Sequence, residues 1–118
     1  MTAMEILSWR EGTSTVIQPD GDLDLAATPR LREVLDEVLA THRPPRLVID
    51  LTKVPFCDSA GLGLLINTLT RVRDANGRLV LAVTPGMITN LLTITNLDKH
   101  FEIHETTQAA QLSLAKAA

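Results

Sequence analysis

Aromatic residues are scarce in this chain: Trp9, Phe56 and Phe101 are all it has, and tyrosine is absent. The core must therefore be aliphatic, and the stacking platforms that hold single-stranded nucleic acid are missing. A formal net charge of −3 also points away from direct binding to nucleic acid. A single cysteine, Cys57, excludes an internal disulfide and any metal site built on cysteine pairs. No His-x-x-x-His spacing or carboxylate cluster offers a metal site of another kind. No apolar run reaches the ~18 residues of a membrane span. Met1 is not followed by the basic and then apolar stretch of a secretory signal. The expectation is a soluble cytoplasmic protein, with no cofactor and no membrane or nucleic-acid partner.

What is present suits one α/β domain over residues 1–118, with 45% apolar residues for a single core. Residues 5–10 and 13–18 read as two strands of a hairpin around Glu11-Gly12. Turn residues 19–22 lead to a brief extended piece at Leu23-Asp24-Leu25. Thr28 as N-cap and Pro29 at the first helical position open a helix. Its stripe is Leu31, Val34, Leu35, Val38 and Leu39. The stretch His42-Arg43-Pro44-Pro45 stops it.

Residues 46–51 form an apolar run of buried-strand length. Leu62, Leu65, Ile66, Leu69 and Val72 then mark a second helix, closed by Ala75-Asn76-Gly77 as a left-handed cap. A strand at 78–83, a short helix carrying Met87, Ile88, Leu91, Leu92 and Ile94, an edge strand at 101–104 and an Ala-rich helix capped by Thr106 complete the chain. Alternating strands and helices predict a mixed sheet of about four or five strands, an N-terminal hairpin plus parallel strands, with about four helices. Only the first and last few residues are expected to fray.

The chemistry-bearing stretch is Phe56-Cys57-Asp58-Ser59-Ala60-Gly61-Leu62-Gly63, between a buried strand and a helix. It lacks the leading glycine of a nucleophile elbow. His42, His100 and His104 fall in loops or at an edge with no orienting partner in view, so no catalytic site is expected. Gly61-Leu62-Gly63 has neither the spacing nor the lysine of a phosphate-cradling loop. Its glycines read as close backbone packing at the helix start.

Ser59 has two open readings. It caps the helix as Asp58 does, or it carries a phosphoryl group. A helix N-terminus stabilises an anion by about 0.3–1 kcal/mol, and a phosphoserine adds about −1.5 to −2 charge. Asp58 opposes it, so the fold would change little. Burying such a charge unpaired in an interface, by contrast, costs several kcal/mol. Ser59 is thus better placed to switch a partner than to switch the fold.

These residues resemble a known family. Gly21-Asp22-Leu23-Asp24, the helix at 28–39, the strand at 47–51, the 56–63 stretch and Leu91-Leu92-Thr93-Ile94-Thr95-Asn96-Leu97 together resemble the STAS domain, and within it the bacterial anti-sigma factor antagonists. The resemblance spans essentially the whole chain. It implies a non-enzymatic protein whose unphosphorylated form binds an anti-sigma factor with serine kinase activity and frees the sigma factor. Phosphorylation of the serine ends binding, and a PP2C-type phosphatase resets it. Carried over, Ser59 is the phosphoacceptor, and the partner-binding set is Asp24, Asp58, Ser59, Ala60, Gly61, Leu62 and Gly63. The alternatives are an unphosphorylated STAS subunit of a transport or scaffold complex, and a sensor of a small ligand or nucleotide. Three departures stand out. Ala60 replaces a frequent second hydroxyl, Cys57 replaces an aliphatic residue, and Asn96 stands for a frequent Gly, as asparagine can in a left-handed position.

Overall fold

Period-two alternation decides the architecture. A computed structural model describes residues 4–116; the expectation of frayed ends falls largely outside them. In β2 (Ser14–Asp20), β3 (Arg46–Asp50) and β4 (Arg78–Ala82), successive side chains point to opposite faces. Ile17, Leu47, Ile49, Leu79 and Leu81 enter one core, while Val16, Val48, Val80 and Ala82 enter another. Both faces are apolar, so both must be covered.

The sheet has five strands in the order β1-β2-β3-β4-β5. β1 (Glu5–Glu11) pairs antiparallel with β2. β2 to β3, β3 to β4 and β4 to β5 (Glu102–His104) are parallel. Each parallel step moves the same way across the sheet. Right-handed crossovers then put α1 (Thr28–Thr41), α2 (Ser59–Asp74) and α3 (Met87–Ile94) on one face. Leu31, Leu35, Leu64, Leu65, Ile88 and Leu92 bury there. α4 (Thr107–Lys116) follows the last strand and covers the opposite face with Ala110 and Leu114. The expected mixed α/β sheet with four helices is what the chain forms.

Buried Asp50 ties the layers. Its carboxylate accepts from Gln18 Nε2 at 2.7 Å, from Thr52 N at 3.0 Å and Thr52 Oγ1 at 2.6 Å, and from the Thr107 hydroxyl. Burial raises its pKa, but the bonds from Thr107, Thr52 and Gln18 outweigh that and leave it below the ordinary value.

Several local expectations are corrected. The cap of α1 is Ala27, with Thr28 the first helical residue. Asp24 already accepts from the Ala27 and Thr28 amides, so the Thr28 hydroxyl donates back to Leu25 O at 2.9 Å instead. The piece at 23–25 is no strand but a single bridge, Leu23 to Cys57. In α2, Ile66 is exposed while Leu64 and Thr68 are buried, the Thr68 hydroxyl donating to Leu64 O at 2.8 Å. In α3 only Ile88 and Leu92 are buried, because eight residues present one narrow stripe. Leu112 is exposed and Leu114 buried in α4. The left-handed positions expected near Asn76 and at Asn96 are present, with φ of 59° and 61°.

Candidate functional site

The carboxyl ends of β2, β3 and β4 deliver three loops, residues 21–27, 51–58 and 83–86, to one edge of the sheet. The first two are stitched together. Gly21 N donates to Lys53 O at 3.1 Å, Leu23 N to Phe56 O at 2.8 Å and Asp58 N to Leu23 O at 3.2 Å. Leu23 and Cys57 lie fully buried beneath this seam.

Asp58 is the hinge point of the site. It is the N-cap of α2, and its Oδ1 accepts from Gly61 N at 2.9 Å, filling one orphan donor of the first turn. Its Oδ2 accepts from Leu25 N at 3.0 Å. One carboxylate thus both starts the helix and pins the 21–27 loop against it. Asp24 does related work within that loop, its Oδ1 accepting from Ala27 N at 3.0 Å.

Ser59 is the first helical residue and is exposed. Asp58 has taken the capping role, and the Ser59 hydroxyl has no hydrogen-bond partner among the described residues. Of the two readings open from sequence, capping belongs to Asp58 alone. Gly61 is buried where the helix meets the seam: an added Cβ would lie 2.4 Å from Leu23 O and 2.9 Å from Cys57 Sγ. Gly63 is different, because it is exposed and an added Cβ would meet nothing within 4 Å. The close-packing expectation therefore holds for Gly61 and fails for Gly63.

The seven residues singled out from sequence divide by depth. Ser59 and Gly63 are on the surface, Asp24, Asp58 and Ala60 are half-buried, and Gly61 and Leu62 are interior. Three exposed apolar residues on this edge were not expected there: Leu25 at 71%, Phe56 at 44% and Met87 at 41% exposure. One turn along α2 from Gly63, on the same exposed face, lies Ile66. The signal was available in Phe56, one of only three aromatic residues, placed between a proline and the site. Leu25 hides among small residues in a turn and carries no periodicity.

Cys57 is inert in this setting. Burial, and then the charge of Asp58, push its thiol up to about 11. The histidine expectation is corrected in part. His104 does have a carboxylate partner, its Nε2 lying 2.9 Å from Glu102 Oε2. The nearby Ser113 hydroxyl donates to Glu102, so no serine–histidine pair forms there. Among the described residues no group of His, Cys, Asp or Glu could hold a metal ion, and no helix is long and apolar enough to cross a membrane.

Comparison with known proteins agrees with this geometry. The anti-sigma-B factor antagonist of Listeria monocytogenes is 34% identical over 83 residues, covering 70% of this chain and 72% of that protein. The solved structure of a putative anti-sigma factor antagonist from Thermotoga maritima superposes with a TM-score of 0.87 at 21% identity, over 94% of this chain and 95% of that one. The Bacillus cell fate determinant SpoIIAA, solved in its phosphorylated form, shares the fold at a TM-score of 0.70 and 17% identity, over 94% of this chain and 99% of that one. The family model for the STAS domain matches residues 8–110. With that span matched and the five-stranded sheet in place, the chain belongs to the STAS domain family.

Proposed function

We propose that this protein is an anti-sigma factor antagonist, a non-enzymatic partner-switching module whose state is written on Ser59. The observation that carries this reading is the Ser59 hydroxyl itself, exposed and unbonded at the start of the 16-residue helix α2, on the edge that presents Leu25, Phe56 and Met87. In its unphosphorylated form the protein docks an anti-sigma factor with serine kinase activity through this edge. The exposed apolar residues supply contact area, and Gly63 lets a partner backbone approach the helix closely. The kinase then transfers a phosphoryl group to Ser59, and a PP2C-type phosphatase removes it.

The energetics favour release over refolding. A phosphate on Ser59 faces the positive end of α2, worth about 0.3–1 kcal/mol, and the neighbouring Asp58 carboxylate, which opposes it. The two roughly offset, and no buried contact of Ser59 is lost. Against a docked partner the same charge is desolvated without a counter-ion, at a cost of several kcal/mol. Asp24, Asp58, Gly61 and Leu62 act in this scheme by holding the edge in shape, and Ser59, Ala60 and Gly63 by meeting the partner.

Incubation with ATP and the anti-sigma factor kinase of the same organism, followed by mass spectrometry, tests the reading. One phosphate on Ser59 and none on the Ser59→Ala protein is the expected result. Equal phosphorylation of the variant would overturn it.

A further inference from the structure

At the end of the sheet opposite Ser59 lies a hollow of about 1270 Å³, formed by the turn between β1 and β2, the segment after α1 and α4 from Gln108 to Ala115. Arg10, Arg43, Arg46 and His42 line it, against one acid, Glu11. That balance runs opposite to the chain as a whole, whose net charge is −3. Among the described residues none of the three arginines has a carboxylate partner. Arg10 donates instead to Thr15 Oγ1 at 2.6 Å, and Arg46 to the carbonyl of Leu114. Arg43 also borders a smaller hollow with Asp36 and Asp74 and forms an ion pair with neither.

One donor here is orphaned. The Nε of Arg46 is buried and has no hydrogen-bond partner among the described residues. Native proteins seldom leave a buried donor unpaired, least of all on a cation. Three guanidinium groups around one space suit an anion with several oxygens, since each fork can hold two. The volume admits an organic body as well, since it exceeds the roughly 300–1,000 Å³ of small-molecule sites. Leu112, 60% exposed at the rim, offers that body an apolar surface.

We propose that this hollow is a binding site for a phosphate-bearing small molecule, its phosphates held by Arg10, Arg43 and Arg46. The site is separate from the Ser59 edge and needs no glycine-rich loop, because side chains rather than backbone amides supply the donors. A bound ligand would join the hairpin, the end of α1 and α4.

The test is calorimetry with pyrophosphate and with ATP at about 0.15 M ionic strength, where exposed charges are screened, paired with amide NMR shifts. Saturable binding of either probe with Kd below about 1 mM is expected, with shifts at residues 10–14, 42–46 and 111–115 and full retention in the Ser59→Ala protein. Arg10→Gln and Arg43→Gln, both at exposed positions, are each expected to weaken it by about tenfold or more. Circular dichroism and Tm confirm that both variants fold. The proposal is overturned if neither probe binds saturably, if both variants bind like the wild type, or if the shifts centre on residues 56–63.

Discussion

Replacing Asp58 by alanine removes two hydrogen bonds at one stroke, the cap to Gly61 N at 2.9 Å and the tie to Leu25 N at 3.0 Å. Loss of an N-cap carboxylate costs about 0.5–2 kcal/mol. The second bond, to a half-buried carboxylate, adds about 1 kcal/mol. The alanine variant is therefore expected to lose about 1.5–3 kcal/mol. Asparagine separates the two contributions. It keeps a cap oxygen for Gly61, but its amide nitrogen cannot accept from Leu25, so about 1 kcal/mol is lost. With a urea slope of about 1–3 kcal/mol/M, the alanine midpoint falls by roughly 0.5–3 M at unchanged slope. Hydrogen exchange localises the effect: the Leu25 amide loses protection in both variants, and the Gly61 amide in alanine alone. An alanine variant within about 0.5 kcal/mol of wild type, or an asparagine variant equally damaged, would refute the dual role of this carboxylate.

Other outcomes follow from the same geometry. Gly61→Ala forces a Cβ to 2.4 Å from a backbone oxygen and is expected to destabilise by about 1–3 kcal/mol, whereas Gly63→Ala, in open space, stabilises by up to about 1 kcal/mol while weakening the partner complex. Urea unfolding reads the first effect of each, and calorimetry the second. Leu25→Ser and Phe56→Ser should each leave stability within about 0.5 kcal/mol and weaken partner binding by about tenfold, as for residues of an interface core. For Glu102, burial opposes ionisation, but hydrogen bonds from Ser113, His104 and Arg78 hold the pKa at about 2 against an ordinary 4.5. A depressed folded pKa means that this stabilisation is complete above the ordinary value and is lost as pH falls toward about 2. Wild type should therefore lose more stability over that window than Glu102→Gln, with urea midpoints at each pH as the readout. Cys57 should ignore a thiol reagent at pH 8 in the folded protein and react fully once unfolded in urea.

Sequence patterning carried the architecture because both sheet faces are apolar in alternation. Val48 and Ile49 sit side by side in the chain yet enter different cores, which a continuous apolar run already implies. The turn chemistry at Asn76 and Asn96 was equally legible, since asparagine tolerates the left-handed region. Helix faces were read less well. Ile66, Met87 and Ile94 fit an apolar stripe by spacing, but nothing in a linear pattern says which side of a short helix meets the sheet. Thr28 resembled a cap because the competing acceptor, Asp24, acts from four residues upstream through a tertiary turn. At the candidate site the sequence placed Ser59 and Asp58 at the start of a helix but did not divide the capping role between them. That division depends on Oδ2 of Asp58 reaching Leu25, a contact between residues 33 apart.

The most direct measurement is the affinity of the anti-sigma factor for this protein before and after enzymatic phosphorylation of Ser59, with Tm recorded on both forms. An unpaired interfacial charge of several kcal/mol predicts binding weakened by at least about a hundredfold. The near-cancellation at the helix start predicts that Tm moves by less than about 4 °C. A phosphorylated protein that binds its partner as tightly as the unmodified one would contradict the account, and so would release accompanied by unfolding.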